Sequence, residues 1–276
     1  MILEKYFKNR FFILYVIPFF IGTLTVFSFQ PFNFTILNFF ILPIFFVLTV
    51  YINKKSKSTF RKKPHKKNLF IFGSLFGFGF YVSGVSWITN SLTFDENFKV
   101  LIPFAIILIP LFLSLFMGFT VLIIGPLLNY NISSIFIFSA ALGFSDFLRA
   151  KLFSGFPWNL WAYSLSWITE LLQTLNLLGL FAFNLIVITI FTLPIILFYQ
   201  FPIIKKISII FLTVILVLCL YIYGNHEINK NKNYLNTLDK KINTKIVSPN
   251  FDLKYDLNIN QIEKKLNKLI RYSEPN

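Results

Sequence analysis

Long stretches without a charged side chain dominate the sequence and limit the folds that are open to it. Residues 11–53 and 100–145 contain no Lys, Arg, Asp or Glu, and neither do the shorter stretches 68–94, 171–204 and 207–226. A helix that crosses a bilayer needs about 20 predominantly apolar residues, because the membrane offers its backbone no water for hydrogen bonding. These stretches therefore predict a polytopic, helical membrane protein.

The lengths of the stretches predict the number of spans. The two longest each have room for two helices, since turn residues interrupt them at residues 30–33 and near Gly125-Pro126. The other three have room for one helix each. We therefore predict an all-α membrane domain over residues 1–223. Its seven transmembrane helices are expected at 11–28, 33–52, 69–91, 101–125, 132–149, 172–198 and 205–223.

The composition favours a membrane protein over a soluble enzyme. Hydrophobic residues make up 56% of the chain and charged residues 13%, whereas soluble domains are about 45–50% apolar and about 25% charged. The formal net charge of +15 does not indicate nucleic-acid binding, because the basic residues cluster at the ends of apolar stretches and after Gly224. We therefore expect no nucleic-acid partner.

Basic residues in short loops predict the orientation, because such loops remain on the cytoplasmic side. With seven spans, the N-terminal basic cluster, the 54–67 loop and the lysines at 205–206 all lie inside, while the 92–99 loop lies outside. Arg149, Lys151 and the basic tail would lie outside, against the rule. We predict that the N-terminus is inside and the C-terminal part is outside.

The tail, residues 224–276, differs in composition from the preceding domain. Residues 225–241 are rich in Asn and Lys and predict a linker. Residues 244–247 predict a short strand, and apolar residues at helical spacing predict an amphipathic helix over residues 258–272. Because one strand and one helix cannot bury a core, we interpret the tail as the first strand–helix unit of an incomplete α/β domain.

The segment from Asp146 to Trp158 is the strongest candidate for a functional site. Asp146 and Arg149 are three residues apart, so they share one face of a helix and can pair. Charges near a membrane are costly, which makes the pair a functional hypothesis. Gly155 and Pro157 predict a turn after the helix. Either the paired charges and aromatic anchors hold a re-entrant loop at the outer surface, or the loop contacts lipid or substrate. The candidates for that contact are Asp146, Arg149, Phe156, Pro157 and Trp158.

Other conspicuous residues predict anchoring or packing. Trp87, Trp161 and Trp167 are predicted anchors at the membrane interface, where Trp is enriched. Small residues in the third span predict close packing against neighbouring helices; they are Gly73, Gly77, Gly79, Ser83 and Gly84. Cys219 lies within an apolar span, where a thiolate would be costly, and is predicted to be a buried structural residue.

The residues alone supply no complete catalytic constellation. The sequence has one cysteine and no Walker-type or His-Glu-x-x-His motif, and no Ser–His–Asp set can be assembled. We therefore expect no catalytic residue, metal or cofactor in this chain. A non-enzymatic membrane protein, such as a transporter component or a scaffold, remains the alternative, although no internal repeat of the kind common in transporters is evident.

The run Asp146-Phe147-Leu148-Arg149-Ala150, followed by Gly155-Phe156-Pro157-Trp158, resembles a motif of the apolipoprotein N-acyltransferase family. That family shows an acidic residue, an aromatic, Leu and Arg-Gly, followed by Gly-Phe-Pro-Trp. Asp146 replaces the usual Glu, and Ala150 replaces the usual Gly. Further segments resemble the family in order: the stretch from Gly22 to Gln30-Pro31-Phe32-Asn33, that from Gly77-Phe78-Gly79 to Gly84-Val85-Ser86-Trp87, Gly179-Leu180-Phe181 and Val247-Ser248-Pro249-Asn250.

The resemblance implies a specific reaction. In the family, the membrane part anchors a periplasmic nitrilase-like (carbon–nitrogen hydrolase) domain. Its Glu–Lys–Cys triad moves an acyl chain from a phospholipid, through a Cys thioester, to the N-terminal amine of a lipoprotein's S-diacylglyceryl cysteine. The resemblance thus implies a phospholipid acyl donor, an apolipoprotein acceptor and a multi-pass location in the bacterial inner membrane, with the C-terminal part periplasmic. We expect a monomer.

None of the three catalytic residues of the family can be placed in this sequence. The family's Glu belongs to a Trp-Pro-Glu motif, whereas Glu274 follows the predicted tail helix without that context. The resemblance assigns the start of the nitrilase-like domain to residues 224–276. We therefore expect the chain to be a fragment that is inactive by itself.

Overall fold

The computed structural model describes residues 11–57, 64–153, 155–237, 244–251 and 257–273. Regular structure in these residues is helical. The α-helices are α1 (Ile17–Leu24), α2 (Asn38–Lys57), α3 (Pro64–Val85), α4 (Ile102–Ile124), α5 (Ile132–Lys151), α6 (Thr169–Leu172), α7 (Thr174–Leu178), α8 (Leu180–Thr192), α9 (Ile203–Asn236) and α10 (Ile259–Ser273). A π-helical turn precedes α1 at Phe12–Val16, and 3₁₀ segments lie at Thr25–Ser28, Thr35–Leu37, Ser86–Thr93, Glu96–Leu101, Gly125–Leu127, Trp161–Leu165 and Leu193–Phe198.

Six helical segments in the described part of the chain are long and apolar enough to cross a membrane. They are Thr35–Ser56, His65–Thr93, Glu96–Leu127, Ile132–Lys151, Leu180–Phe198 and Ile203–Asn236. The predicted helical membrane fold is therefore confirmed. The first predicted span corresponds to the apolar but shorter helical segment Phe12–Ser28, so the count of seven stays a prediction.

Two predicted boundaries are wrong. The sixth span was expected from residue 172, but the long helix α8 begins at Leu180. Gly179 adopts a φ of 74°, and this left-handed conformation interrupts the helix. The predicted linker at 225–241 is helical as far as Asn236, because α9 continues beyond the apolar span. Residues 225–236 contain no Gly or Pro that would end it.

The tail agrees with the prediction only in its helix. α10 forms at Ile259–Ser273, with its apolar side chains exposed. Residues 244–250 have no regular secondary structure, so the predicted strand at 244–247 is absent from the structure. A strand needs a neighbour to complete its hydrogen bonds, and the described residues provide none. Residues 238–243 and 252–256 lie outside the described residues.

α9 also corrects the prediction for Cys219. Only 6% of the most apolar stretch of α9 is buried within the protein, and Cys219 is exposed on the surface of this helix. The prediction of a buried cysteine is wrong because α9 has few buried positions: among its described residues only Gly224 is buried, where a Cβ would overlap the carbonyl oxygen of Glu170.

α3 is the central helix of the bundle and packs closely against α1 and α4. A Cβ at Gly79 would overlap the carbonyl oxygen of Phe19 in α1, and one at Gly73 would lie 2.7 Å from the carbonyl oxygen of Met117 in α4. Close backbone approach through small residues is the usual way in which membrane helices pack. The prediction that small residues of the third span serve packing between helices is thus confirmed for Gly73 and Gly79.

We expect the replacement Gly79→Ala to destabilise the bundle by about 1–3 kcal/mol, because the new methyl group has no room against Phe19. Gly143→Ala is the matched control, since a Cβ at this helical position would lie 3.4 Å from Leu185, an ordinary contact. Thermal unfolding of both variants in detergent measures the difference. Equal melting temperatures would contradict the packing that we describe between α1 and α3.

Candidate functional site

A buried ion pair at the C-terminal end of α5 forms the centre of the candidate site. Nη2 of Arg149 donates to Oδ1 of Asp146 at 3.0 Å, and both side chains are 1% exposed. The pairing predicted from the three-residue spacing is therefore confirmed. In an apolar interior an unpaired charge is expensive, so each residue depends on the other.

Arg149 connects the helix to the loop that follows it. Its Nη1 donates to the carbonyl oxygens of Phe156 at 2.6 Å and Trp158 at 2.7 Å. A guanidinium group presents several donors in a fixed plane, so one side chain holds two carbonyls that would otherwise lack partners. The segment 155–158 is thus fixed against the end of α5.

The loop reaches this position through residues with positive φ angles. Gly155 has a φ of 74°, and a Cβ there would lie 2.7 Å from the carbonyl oxygen of Ala150. Phe153 and Asn159 both have a φ of 55°. The Asn159 side chain packs on Gly84 of α3, where a Cβ would overlap it. The Gly-Phe-Pro-Trp segment therefore folds back onto the bundle.

Asn184 of α8 extends the hydrogen-bond network, and the sequence analysis does not predict it. Its Nδ2 donates to Oδ2 of Asp146 at 2.9 Å, and its Oδ1 accepts from the backbone N–H of Ala162 at 2.9 Å. The side chain is fully buried. A single Asn within an apolar span is a signal that could have identified it, because polar groups inside a membrane are costly.

Two tyrosines border the ion pair. The guanidinium carbon of Arg149 lies 5.3 Å from the ring centre of Tyr81 in α3, within range of a cation–π contact. Burial raises the pKa of the Tyr163 phenol, and the nearby Arg149 guanidinium opposes that shift. Because the phenol stays protonated at neutral pH, it adds no negative charge beside Asp146.

The aromatic side chains of the loop are presented on the surface. The Trp158 ring is 49% exposed and meets the ring of Trp87 edge-on, with centroids 5.3 Å apart. Phe156 is half-buried behind Trp158, with centroids 6.4 Å apart, and Pro157 is exposed. The hydrogen-bonded groups of the site are thus buried, whereas the Trp158 side chain of the loop is exposed at the surface.

The predicted tryptophan anchors occupy two kinds of position. Trp87 and Trp167 are about half exposed, and Nε1 of Trp167 donates to Oγ1 of Thr35 at 2.9 Å. Trp161 is a core residue rather than a surface anchor, because its side chain is fully buried and stacks on Phe80 with centroids 5.4 Å apart. The roles of Trp87 and Trp167 at a membrane interface stay predictions.

The network consists of hydrogen bonds between buried groups that join α5, α8 and the loop. Both oxygens of Asp146 accept hydrogen bonds, one from Arg149 and one from Asn184, so the orientation of the carboxyl group is fixed from two sides. Among the described residues, no group of three His, Cys, Asp or Glu side chains is arranged to hold a metal ion. The arrangement can therefore fix a loop and present its aromatic side chains to lipid or substrate.

Comparison with known proteins places this arrangement in a family. Residues 21–193 match the family model of the apolipoprotein N-acyltransferase N-terminal domain. That range includes α2 to α8 and all the residues of the buried network.

Three relatives named apolipoprotein N-acyltransferase illustrate the similarity. The protein of Agrobacterium fabrum (strain C58) is 38% identical over 109 residues, which is 39% of this chain and 21% of the relative. The protein of Brucella melitensis biotype 1 is 36% identical over 39% of this chain and 20% of its own length. That of Rickettsia bellii (strain RML369-C) is 32% identical over 42% of this chain and 23% of its own length. The matched segment thus spans about a fifth of each relative. With more than half of its residues covered by the family model, the chain belongs to the apolipoprotein N-acyltransferase family.

Proposed function

We propose that this chain forms the membrane domain of an apolipoprotein N-acyltransferase. The reaction is transfer of an acyl chain from a membrane phospholipid to the N-terminal amine of an S-diacylglyceryl cysteine in an apolipoprotein. The observation that carries the proposal is the clamp formed by Arg149 on the carbonyls of Phe156 and Trp158, within the region matched by the family model. The family's Glu–Lys–Cys chemistry is not assigned to any residue of this chain.

In this proposal the clamped loop contributes to substrate positioning. Asp146 and Arg149 hold the loop from inside, while Phe156, Pro157 and Trp158 face the lipid or the substrate. Side chains of this kind suit a lipid substrate, because an aromatic ring can lie at the boundary between headgroups and acyl chains. The residues are thereby assigned to positioning rather than to bond-making chemistry.

The substitution Trp158→Ala is introduced into the gene of the source bacterium, and membranes of that strain are assayed for N-acylation of a diacylated lipopeptide. We expect the rate to fall about tenfold, because a substrate that is not held in the reactive orientation reacts more slowly. Trp167→Ala is the matched control, since its ring is equally exposed but lies outside the loop. The assay compares rates at equal amounts of protein. The same rate for both variants would count against a role of the loop in positioning.

The topology belongs to the same proposal. We propose seven spans in the bacterial inner membrane, with the N-terminus cytoplasmic and residues 224–276 periplasmic at the start of a nitrilase-like domain. The six long apolar segments, the shorter segment Phe12–Ser28 and the basic clusters support this orientation. The amphipathic helix α10 supports a further domain, because its apolar face is exposed in the described residues and needs a partner.

A labelling experiment tests the topology. In a chain with Cys219→Ser, a cysteine introduced at Ser91 is expected to react with a membrane-impermeant maleimide in intact spheroplasts, because the loop between α3 and α4 lies outside. A cysteine introduced at Lys206 is expected to react only after the membrane is opened. The reverse pattern would show the opposite orientation.

A further inference from the structure

An apolar groove of about 490 Å³ runs between α4 and α5, and neither Asp146 nor Arg149 lines it. Its walls are formed mainly by Phe116, Phe119 and Ile123 of α4, together with Ala141, Phe144 and Leu148 of α5. The two hydroxyl groups in the wall, those of Thr120 and Ser145, both donate to the carbonyl oxygen of Phe116. The groove therefore offers an occupant almost no polar atom.

The position of the groove indicates what fills it. The exposed residues of α4, among them Phe112, Phe119 and Ile123 of the groove, form the face of this helix that is turned to the acyl chains of the bilayer. Residues 112–124 of α4 line the groove over about 18 Å at 1.5 Å per residue. This length is close to the roughly 15 Å depth of one leaflet's hydrocarbon, which is half of the about 30 Å core. One acyl chain fits both its chemistry and its length.

A basic side chain continues the wall of the groove at one end. Lys151 follows Leu148 by three residues, so it lies on the same face of α5. Its side chain is exposed, and within the described part of the chain no carboxylate forms an ion pair with it. The groove thus ends next to a cation that is available for a phosphate group.

Phe153 lies at the same end of the groove. Its ring meets that of Phe112 edge-on, with centroids 5.2 Å apart, and its side chain is 80% exposed. A positive φ is uncommon for a bulky residue, and here it directs the ring of Phe153 towards α4. The end of the groove near Lys151 is therefore bounded by an aromatic pair.

From these contacts we infer that the α4–α5 groove binds one glycerophospholipid, with an acyl chain along the groove and its phosphate against Lys151. None of residues 155–158, which Arg149 holds, lines the groove, and its occupation does not depend on acyl transfer. Since the hydrophobic effect does not favour a groove over surrounding lipid within a bilayer, the preference comes from shape and from the charge of Lys151.

Photo-crosslinking tests the site. The chain is reconstituted in nanodiscs of phosphatidylethanolamine and phosphatidylglycerol, with a trace of phosphatidylglycerol that carries a diazirine in one acyl chain. After illumination and digestion, mass spectrometry maps the labelled peptides. We expect label to concentrate on α4 and α5 relative to residues 203–216 of α9, which are largely exposed and line neither this groove nor the smaller one beside Val217 and Leu220.

Two pairs of variants make the test specific. Ala141→Trp fills the groove and is expected to reduce label on α4 and α5 to the level of α9, whereas Ala140→Trp, at the exposed neighbouring position outside the groove, is expected to leave it unchanged. Lys151→Glu is expected to lower the labelling about fivefold, as loss of one Lys–anionic lipid contact would. The exposed Lys232→Glu on α9 is its control.

Two results would overturn the inference. Equal labelling of α4, α5 and α9 in the unchanged chain would indicate ordinary surrounding lipid. Identical labelling of the Ala141→Trp and Ala140→Trp variants would show that the groove itself does not bind the lipid. Should Ala141→Trp fail to fold, the comparison of Lys151→Glu with Lys232→Glu decides, because both lysines are exposed and neither supports the bundle. Unchanged labelling of Lys151→Glu would then refute the site.

Discussion

Replacing Arg149 with Ala is expected to lower the free energy of unfolding by about 3–5 kcal/mol, the usual cost of removing one partner of a buried ion pair. The change leaves Asp146 without its cationic partner and still 1% exposed, with only the Asn184 side chain to donate a hydrogen bond to it. It also removes the donors to the carbonyls of Phe156 and Trp158. Thermal unfolding in detergent, followed by tryptophan fluorescence, measures the loss.

Lys151→Ala provides the control for this prediction. Lys151 lies two residues further along the same helix and is exposed, so its removal is expected to change stability by less than about 0.5 kcal/mol. Equal destabilisation by the two changes would show that Arg149 contributes only a positive charge near the end of α5.

A double variant separates the ion pair from the clamp. Asp146→Asn combined with Arg149→Met removes both charges, so we expect it to unfold at a higher temperature than Arg149→Ala, which leaves an uncompensated carboxylate. It would still lack the donors to the two loop carbonyls. A double variant as stable as the unchanged protein would mean that those hydrogen bonds contribute nothing to holding the loop.

Trp161→Ala is expected to lower the stability by about 3–5 kcal/mol, because it empties a large volume in the packed core. The ring of Trp161 is fully buried and stacks on Phe80, which itself has no exposed surface. The same measurement of thermal unfolding applies. The indole of Trp161 should also be protected from an aqueous quencher, unlike the exposed indoles.

Trp158→Ala is the control for the core position. Its ring is 49% exposed, so we expect its removal to cost about 1 kcal/mol or less. This variant is also the one that is expected to slow acyl transfer. If Trp158→Ala and Trp161→Ala were equally unstable, the division between a core tryptophan and a loop tryptophan would be wrong.

The boundaries of the membrane helices could be predicted where one physical rule dominates. Four of the six long apolar segments, those that contain α2 to α5, lie close to the predicted spans, because a bilayer requires uninterrupted apolar helix. The sixth predicted span begins too early. Gly179, which ends α7, has no charge, so it does not interrupt the uncharged stretch from which the span was predicted. The tail of α9 was predicted as a linker on its polarity alone.

The site was predictable in part. The three-residue spacing of Asp146 and Arg149 is a local property of a helix, and the ion pair formed as expected. The contribution of Asn184 could not follow from spacing, because 38 residues separate it from Asp146. The burial of Trp161 could not be predicted from the sequence either. It is a tryptophan like Trp158 and Trp167, but its ring packs against Phe80 of α3.

The sequence by itself determined that the chain is a helical membrane protein, which residues are apolar enough to span, and that a charged pair precedes the Gly-Phe-Pro-Trp segment. These properties depend on composition and on local spacing. Only the tertiary structure decided that Arg149 holds the loop carbonyls, that Asn184 links α8 to the pair, and that Trp161 is buried while Trp158 is exposed. Contacts between distant helices depend on which helices pack together, and the local spacing of Arg149, Asn184 or Trp161 does not identify the partner.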